Sequence, residues 1–360
     1  MTKILVTGGF GFIGGHLIDR LLNTQLTSGQ VLEDRPYVHV VDNLSTSPVP
    51  LDVLLGDLNY PERLTYDICD IHEWLKNGTS DDWDIIFHLA SPVGPAGILP
   101  YAGKMAHYII EDTVGLIELA KRCKASLIDI STSEIYGGGE NGYCSEEMPR
   151  IVPPETTVRL EYAVGKLAAE TAIINECQIN GLRAAIIRPF NVAGKRQSGQ
   201  GGFVLPRFVA QAMVGAPLTV FGDGFQLRAF THVADIVEGI VKVSNKLRSR
   251  NRGGGKSGEV YNLGNPDNRI SILELAQRVI EITESKSEIV FMDGREVYGQ
   301  YYAEAADKYP NADKAKQELG WKPEFTVDET IKSVHLYMTF SMPEIFQSLA
   351  GFEVSHPLWE

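Results

Sequence analysis

The sequence predicts an α/β fold, a doubly wound parallel sheet with a smaller α/β lobe toward the C-terminus. One observation is the opening stretch, where apolar Ile4, Leu5 and Val6 run into Gly8, Gly11 and Gly14. A helix with an apolar face of Phe12, Ile13, Leu17, Ile18 and Leu21 follows at once. Another is the alternation of strand-like and helical runs as far as residue 188, the signature of a parallel sheet with crossover helices. Lastly, Ser91, Thr132, Glu134 and Asn191 fall just past predicted strands. Sheets of this kind bind ligands beyond the carboxyl ends of their strands.

The chain has 360 residues, 44% of them hydrophobic, enough for a substantial core and two joined lobes. Residues 1–190 are expected to form a Rossmann-type domain, with 232–266 returning to it. Residues 191–231 and 267–340 form the second lobe, and 341–360 have no assigned role. A net charge of −13 argues against a nucleic-acid binder, but local arginines can still hold an anionic ligand. No apolar run approaches a membrane span, so no membrane association is expected. The first strand starts at residue 3, so no leader is expected, and a cytoplasmic location follows. Four cysteines lack metal-ligand spacing, and eight histidines form no HxxxH or HExxH pair. No metal site is expected.

Taken in order, the glycines of the first turn have distinct uses. Gly8 permits the tight turn, Gly11 lets a pyrophosphate approach the backbone, and Gly14 lets helix and strand pack closely; the helix N-terminus faces the anion. Phe12 and Ile13 begin that helix. A second strand, 37–41, ends in Asp42-Asn43, and an acidic residue there suits a ribose diol and repels a 2′-phosphate. The pattern therefore points to NAD. Residues 24–36 read as a surface insertion. A third strand, 64–68, carries Asp67-Ile68, which either contacts the adenine or is an ordinary strand end. A fourth, 84–89, leads through Leu89-Ala90 into a proline- and glycine-rich loop, 92–100, expected to border cofactor and substrate. Then come a helix at 105–123, a fifth strand at 126–131 ending in Ser131-Thr132-Ser133-Glu134, and a sixth at 183–188. Later elements are a helix at 206–214, a strand at 218–221, a helix at 233–245 and a basic surface loop at 246–256. A strand at 260–263, a helix capped by Ser271, a strand at 288–292 and a helix at 327–338 complete the reading.

Tyr162 and Lys166 sit four apart in a helical stretch, hence on one face. An ammonium near a phenol favours the phenolate. Such a tyrosine can take a proton from a hydroxyl as hydride leaves the same carbon. The plain alternative is a chance pair on a solvated face, but no other Tyr-x-x-x-Lys occurs in the chain. Thr132 either bonds the reacting hydroxyl or satisfies a strand end. Glu134 either acts beside a transient ketone or is a surface glutamate.

Together Gly8-x-x-Gly11-x-x-Gly14, Asp42, Ser131-Thr132-Ser133-Glu134-Ile135-Tyr136-Gly137, Tyr162-x-x-x-Lys166 and Arg188-Pro189-Phe190-Asn191 resemble the extended short-chain dehydrogenase/reductases that modify nucleotide sugars. The resemblance implies a tightly held NAD that oxidises the sugar at C4 and is recycled within each turnover. It implies Thr132, Glu134, Tyr162 and Lys166 as catalytic residues, and a homodimer through helices 105–123 and that of Tyr162. Arg159, Gln226-Leu227-Arg228-Ala229-Phe230 and Gly264-Asn265-Pro266 are most similar to UDP-glucuronate decarboxylases. By that likeness Ser133, Arg159, Asn191, Arg207 and Arg228 would bind a UDP-linked sugar, and Glu134 would assist loss of the carboxylate. Ser133 stands where 4,6-dehydratases place an Asp, which counts against dehydration; UDP-sugar 4-epimerisation is the alternative within the class. A non-catalytic NAD-binding sensor or scaffold is the alternative outside it, and intact Thr132, Tyr162 and Lys166 count against that. The loop after strand four departs from the decarboxylase pattern, with Pro95-Ala96-Gly97-Ile98 and a later Tyr101. So do Gly194-Lys195-Arg196 and Lys308, which stands where an arginine for the nucleotide is usual.

Overall fold

A computed structural model describes residues 2–23, 36–47, 50–56, 61–78, 82–137, 141–150, 156–197, 201–249, 257–302, 304–305 and 307–341. Its strands β1 (Lys3–Thr7), β2 (Tyr37–Asp42), β3 (Leu64–Ile68), β4 (Ile85–His88), β5 (Ser126–Ile130), β6 (Arg183–Pro189) and β7 (Glu259–Leu263) form one sheet. The order is β7-β6-β5-β4-β1-β2-β3, and each pairing is parallel. The doubly wound α/β class is therefore as the sequence predicts.

Both faces of the sheet are covered along β1, β4, β5 and β6, which is why these strands are largely apolar, whereas the edge strand β3 is exposed after Leu64. Ile4, Val6, Phe87, Ile128 and Ile187 pack on one face against Leu17, Leu21, Ile236 and Ile240. These come from the Phe12–Leu22 and Val233–Ser249 helices. Leu5, Ile86, Leu127 and Ile186 pack on the other against Leu116, Ile117 and Ile173 of the Met105–Cys123 and Val158–Asn180 helices. Each such side chain, fully buried, contributes about 1.5–3 kcal/mol. The winding reverses between β1 and β4, which opens a crevice at their carboxyl ends.

In the smaller lobe the Val204–Met213, Ile272–Thr283 and Val327–Ser341 helices close over Leu205, Phe208, Val220, Leu275, Ile331 and Met338. Ser271 and Glu274 form a reciprocal cap on the second of these helices. Ile289–Met292 pairs in parallel with Leu218–Phe221.

The basic loop expected from residue 246 begins later, because the preceding helix runs on to Ser249. Lys246 is helical and donates to the Tyr261 hydroxyl at 2.8 Å while pairing with Glu318. Nearly all of the expected 24–36 insertion, residues 250–256 of that loop and the 342–360 tail lie outside the described residues. Among the described residues no helix is long and apolar enough to cross a membrane.

Candidate active site

A cleft of about 860 Å³ runs across the carboxyl ends of the sheet and continues under the smaller lobe. At its first end lies the glycine turn. Gly8 has φ +70°, and a Cβ there would stand 2.6 Å from the Ala90 nitrogen. A Cβ on Gly14 would stand 2.1 Å from the Gly8 carbonyl oxygen. Gly11 is different, since among the described residues its Cβ would meet only Gly8 O at 3.3 Å and Thr46 Oγ1 at 4.0 Å. It begins the Phe12–Leu22 helix, with no side-chain cap on that N-terminus. Backbone N–H groups open toward a space that a side chain would fill are what a pyrophosphate requires, so the residues present fit a dinucleotide.

Phe12, Ile13, Asp42, Asn43, Leu89 and Ala90 line the same end. The Asp42 carboxylate accepts from Phe10 N at 2.9 Å and Leu44 N at 2.7 Å, so it joins both lips of the cleft. Burial raises its pKa, and the backbone hydrogen bonds pull against that. Asp67 and Ile68 do not line the cleft. The Asp67 carboxylate accepts from Trp74 Nε1 at 2.8 Å and lies 3.2 Å from His39 Nε2. Beyond the strand end, Asp70 and Ile71 do line the cleft, and Asn43 Nδ2 donates to Asp70 at 2.6 Å. Asp70, His72 and Glu73 bring possible metal-ligating atoms within 4.8 Å of one another at this rim.

Midway along the cleft stand Thr132, Tyr162 and Lys166. Thr132 caps the short Ser133–Tyr136 turn, its hydroxyl accepting from Glu134 N at 3.1 Å. The Tyr162 side chain is hydrogen-bonded to Thr132. Thr157 caps the helix that carries Tyr162 and Lys166. The expectation that Lys166 lowers the phenol pKa does not hold in this structure. Burial pushes Tyr162 up, the Thr132 hydrogen bond only partly offsets it, and Glu134 and Asp129 push it further. Lys166 Nζ donates to the Ile130 carbonyl at 2.9 Å. Burial lowers its own pKa, against the pull of Asp129, Asp112 and Glu170.

Glu134 is no free surface carboxylate. Its Oε1 lies 2.6 Å from Lys308 Nζ and its Oε2 3.0 Å from Arg159 Nη1. Burial would raise its pKa, but these two cations hold it well below the usual carboxylate range. Lys308, singled out in the sequence only as a departure, is thus a partner of Glu134. Arg228 donates to Ala305 O at 2.7 Å and pairs with Glu304 at 3.1 Å. Arg207 is 9% exposed, lies 4.0 Å from the centroid of the Phe221 ring, and its Nε and Nη1 have no hydrogen-bond partner among the described residues. Buried N–H groups left unpaired are costly, so this guanidinium is prepared for an oxyanion or a carbonyl. Ser133 and Asn191 line the same region, Asn191 in the left-handed region with φ +35°. The structure therefore brings the sequence-derived residues into one cleft, apart from Asp67 and Ile68. It adds Asp70, Ile71, Asp112, Tyr302, Glu304 and Lys308.

This cleft on this sheet defines a dinucleotide-dependent enzyme class, and the chain belongs to the NAD dependent epimerase/dehydratase family, whose pattern matches residues 4–264. A UDP-N-acetyl-alpha-D-glucosaminuronate decarboxylase of Bacillus cytotoxicus is 30% identical over 336 residues, 92% of this chain and 95% of the relative. UDP-glucuronic acid decarboxylase 1 of Xenopus tropicalis is 33% identical over 341 residues, 93% and 72% of the two chains. The UDP-glucuronic acid 4-epimerase of Bacillus cereus, solved with UDP-glucuronic acid and NAD, superposes with TM-score 0.74 at 26% identity, covering 94% of this chain and 99% of that one. The dTDP-glucose 4,6-dehydratase of Bacillus anthracis, solved with NAD, gives 0.75 at 25%, covering 95% and 98%. The chain is an NAD-dependent enzyme of nucleotide-sugar chemistry.

Proposed function

We propose that this chain decarboxylates UDP-glucuronate through a C4 ketone. The observation that carries the reading is the charge at the substrate end of the cleft. Arg159, Arg207, Arg228 and Lys308 face Glu134 and Glu304 there, four cations against two carboxylates, a surplus of two positive charges. That surplus suits a diphosphate bearing a sugar acid, and planar guanidinium forks bind such oxyanions bidentately.

Gly8, Gly11 and the helix N-terminus would hold the pyrophosphate of NAD, and Asp42, Asn43, Asp70 and Ile71 its adenosine half. When bound, the cofactor would supply a reversible hydride acceptor for C4. Tyr162 accepts the C4 hydroxyl proton, with Thr132 orienting that hydroxyl and Lys166 supplying positive charge. A ketone at C4 turns the C6 acid into a β-keto acid. The C5–C6 bond can then break with its electron pair spread onto the C4 oxygen, and C5 takes a proton. Glu134, kept ionised by Lys308 and Arg159, stands beside this carbon as a fixed negative charge that disfavours retention of the sugar carboxylate. Ser133 and Asn191 contact the substrate.

Residues 1–190 with 232–266 serve the cofactor in this reading, and 191–231 with 267–340 the nucleotide sugar. A homodimer forms through the Met105–Cys123 and Val158–Asn180 helices, on which Val114 and Val164 are about half exposed. The enzyme works in the cytoplasm.

Mass spectrometry of UDP-glucuronate, and of UDP-N-acetylglucosaminuronate in parallel, after incubation with the protein and a trace of NAD tests the reading. Loss of carbon dioxide that Tyr162→Phe abolishes supports it. An isomer of unchanged mass would instead mean C4 epimerisation. Both substrates untouched would overturn decarboxylation.

A further inference from the structure

Behind the reacting groups lies a buried carboxylate that the proposed chemistry does not use. Asp129 is 1% exposed in the middle of the sheet, and neither of its oxygens has a hydrogen-bond partner among the described residues. The pleat assigns its direction. Ile128 and Ile130 belong to the core on one face and Leu127 to the core beneath the Val158–Asn180 helix, so Asp129 points toward that helix. Lys166 descends from the helix to the same spot, its Nζ 2.9 Å from the carbonyl of Ile130, the next residue.

The neighbours on every side can be named. On β4 the residue in register is His88, with Nε2 4.0 Å from Asp129 Oδ1 and Nδ1 2.8 Å from the Thr7 hydroxyl. Burial, aided by Lys166, lowers the His88 pKa to about 3, so this imidazole is neutral and offers no charge. Glu170, on the helix of Lys166, is committed to Arg188 at 2.5 Å and to the Ser131 hydroxyl. Asp112, on the Met105–Cys123 helix, lines the cleft and also acts on Lys166. Among the described residues Lys166 is the cation whose charge acts on Asp129, through space and without a hydrogen bond between them, and in the proposed chemistry the same cation supports a Tyr162 phenolate.

We propose that Asp129 is a positioning residue that competes with the Tyr162 oxygen for the Lys166 ammonium, so that its protonation frees Lys166 to support Tyr162 as base. This rests on the reading of Tyr162 as the base for the C4 hydroxyl. Burial lifts the Asp129 pKa to about 6, with Lys166 pulling it down and Glu170 pushing it up, so the competition switches on as pH rises through that value. The ionised carboxylate in turn raises Tyr162. A buried carboxylate without hydrogen bonds is costly to keep, and a hold on the catalytic cation gives it a use.

The test is Asp129→Asn in the full-length protein, with Asp129→Leu as a second neutral form should the first fold poorly. The pH profile for loss of carbon dioxide from UDP-glucuronate should move its acid limb down by on the order of one pH unit. A limb that stays in place while the rate falls, or that moves up, overturns the proposal. A second readout needs neither substrate nor cofactor. In a double-mutant cycle of Asp129→Asn with Lys166→Met, read as thermal midpoint at about pH 8, removing the carboxylate should stabilise the Lys166→Met protein more than the wild type. Additive midpoints overturn the proposal whether or not UDP-glucuronate is the substrate. A coupled cycle in a protein that releases carbon dioxide from neither sugar acid would sink the proposed function while leaving the Asp129–Lys166 coupling standing.

Discussion

Lys308 Nζ lies 2.6 Å from Glu134 Oε1, a contact between side chains 174 residues apart in the sequence. Glu134 rides on the turn after β5, and Lys308 comes from the extended segment that bridges to Arg228. Lys308 is almost fully buried, and Glu134 is its hydrogen-bonded counter-charge. The pair therefore does two things. It fastens the smaller lobe to the catalytic wall, and with Arg159 it fixes the charge of Glu134.

Lys308→Met should show both roles. It leaves Glu134 with Arg159 alone, so the carboxylate becomes easier to protonate. Breaking a largely buried pair by deleting one partner should cost about 2–3 kcal/mol, measured by urea unfolding. The kcat for decarboxylation should fall by about 10²-fold or more, while Lys308→Arg retains most of the stability. Equal kcat in Lys308→Met and wild type would remove Lys308 from the mechanism.

Two glycines of one turn should separate folding from cofactor binding. Gly14→Ala drives a Cβ to 2.1 Å from the Gly8 carbonyl, a backbone atom that cannot move aside, so the thermal midpoint should drop by several degrees. Gly11→Ala places its Cβ 3.3 Å from the Gly8 carbonyl oxygen, a much milder contact, and should lower that midpoint less than Gly14→Ala does. It fills the space reserved for the pyrophosphate, so NAD affinity by titration calorimetry should fall by about tenfold or more. Tight NAD binding by the Gly11 variant would displace the cofactor from this turn.

Much of this site was legible because its signals are local. The glycine turn, the Tyr162–Lys166 spacing and the Ser131–Glu134 strand end each lie within one strand–helix junction, where periodicity and turn chemistry decide the conformation. The register beyond β3 was not legible in the same way. The sequence offers two Asp-Ile pairs there, Asp67-Ile68 and Asp70-Ile71, and periodicity places both near a strand end. What separates them is a tertiary fact, the capture of Asp67 by Trp74 and His39. Lys308 escaped for the same reason, since nothing in its neighbourhood announces Glu134. Burial, Glu134 and Asp129 push the Tyr162 pKa up, and helical spacing to Lys166 carries no information about any of them.

That distinction is itself testable. Asp70→Ala should weaken NAD binding by several-fold, since Asp70 lines the adenosine end and holds Asn43. Asp67→Ala should leave the dissociation constant within about twofold while costing a little stability through Trp74. The reverse ranking in paired calorimetric titrations would restore the adenine contact to Asp67.

Asp235 sets a pH dependence that has nothing to do with catalysis. It sits in the first turn of the Val233–Ser249 helix and accepts from Glu324 N at 3.0 Å and Phe325 N at 3.2 Å. Burial raises its pKa from 3.8 to about 6, with those two hydrogen bonds opposing. A folded pKa above the unfolded one means that stability is fully present below the unfolded value and is lost as pH rises through the folded one. The loss therefore falls between about pH 4 and 6, and a shift of two units corresponds to about 3 kcal/mol at most. Asp129 and Asp112, also raised to about 6, add to the same trend. Asp235→Asn removes one contribution, so its urea-derived stability should depend less on pH than that of the wild type. Near pH 4 the variant should be the weaker by about 1 kcal/mol, because an amide oxygen can serve only one of the two N–H groups well. By about pH 8 the difference should shrink or reverse. Parallel stability curves across this range would mean that Asp235 titrates no differently in the folded and unfolded chain.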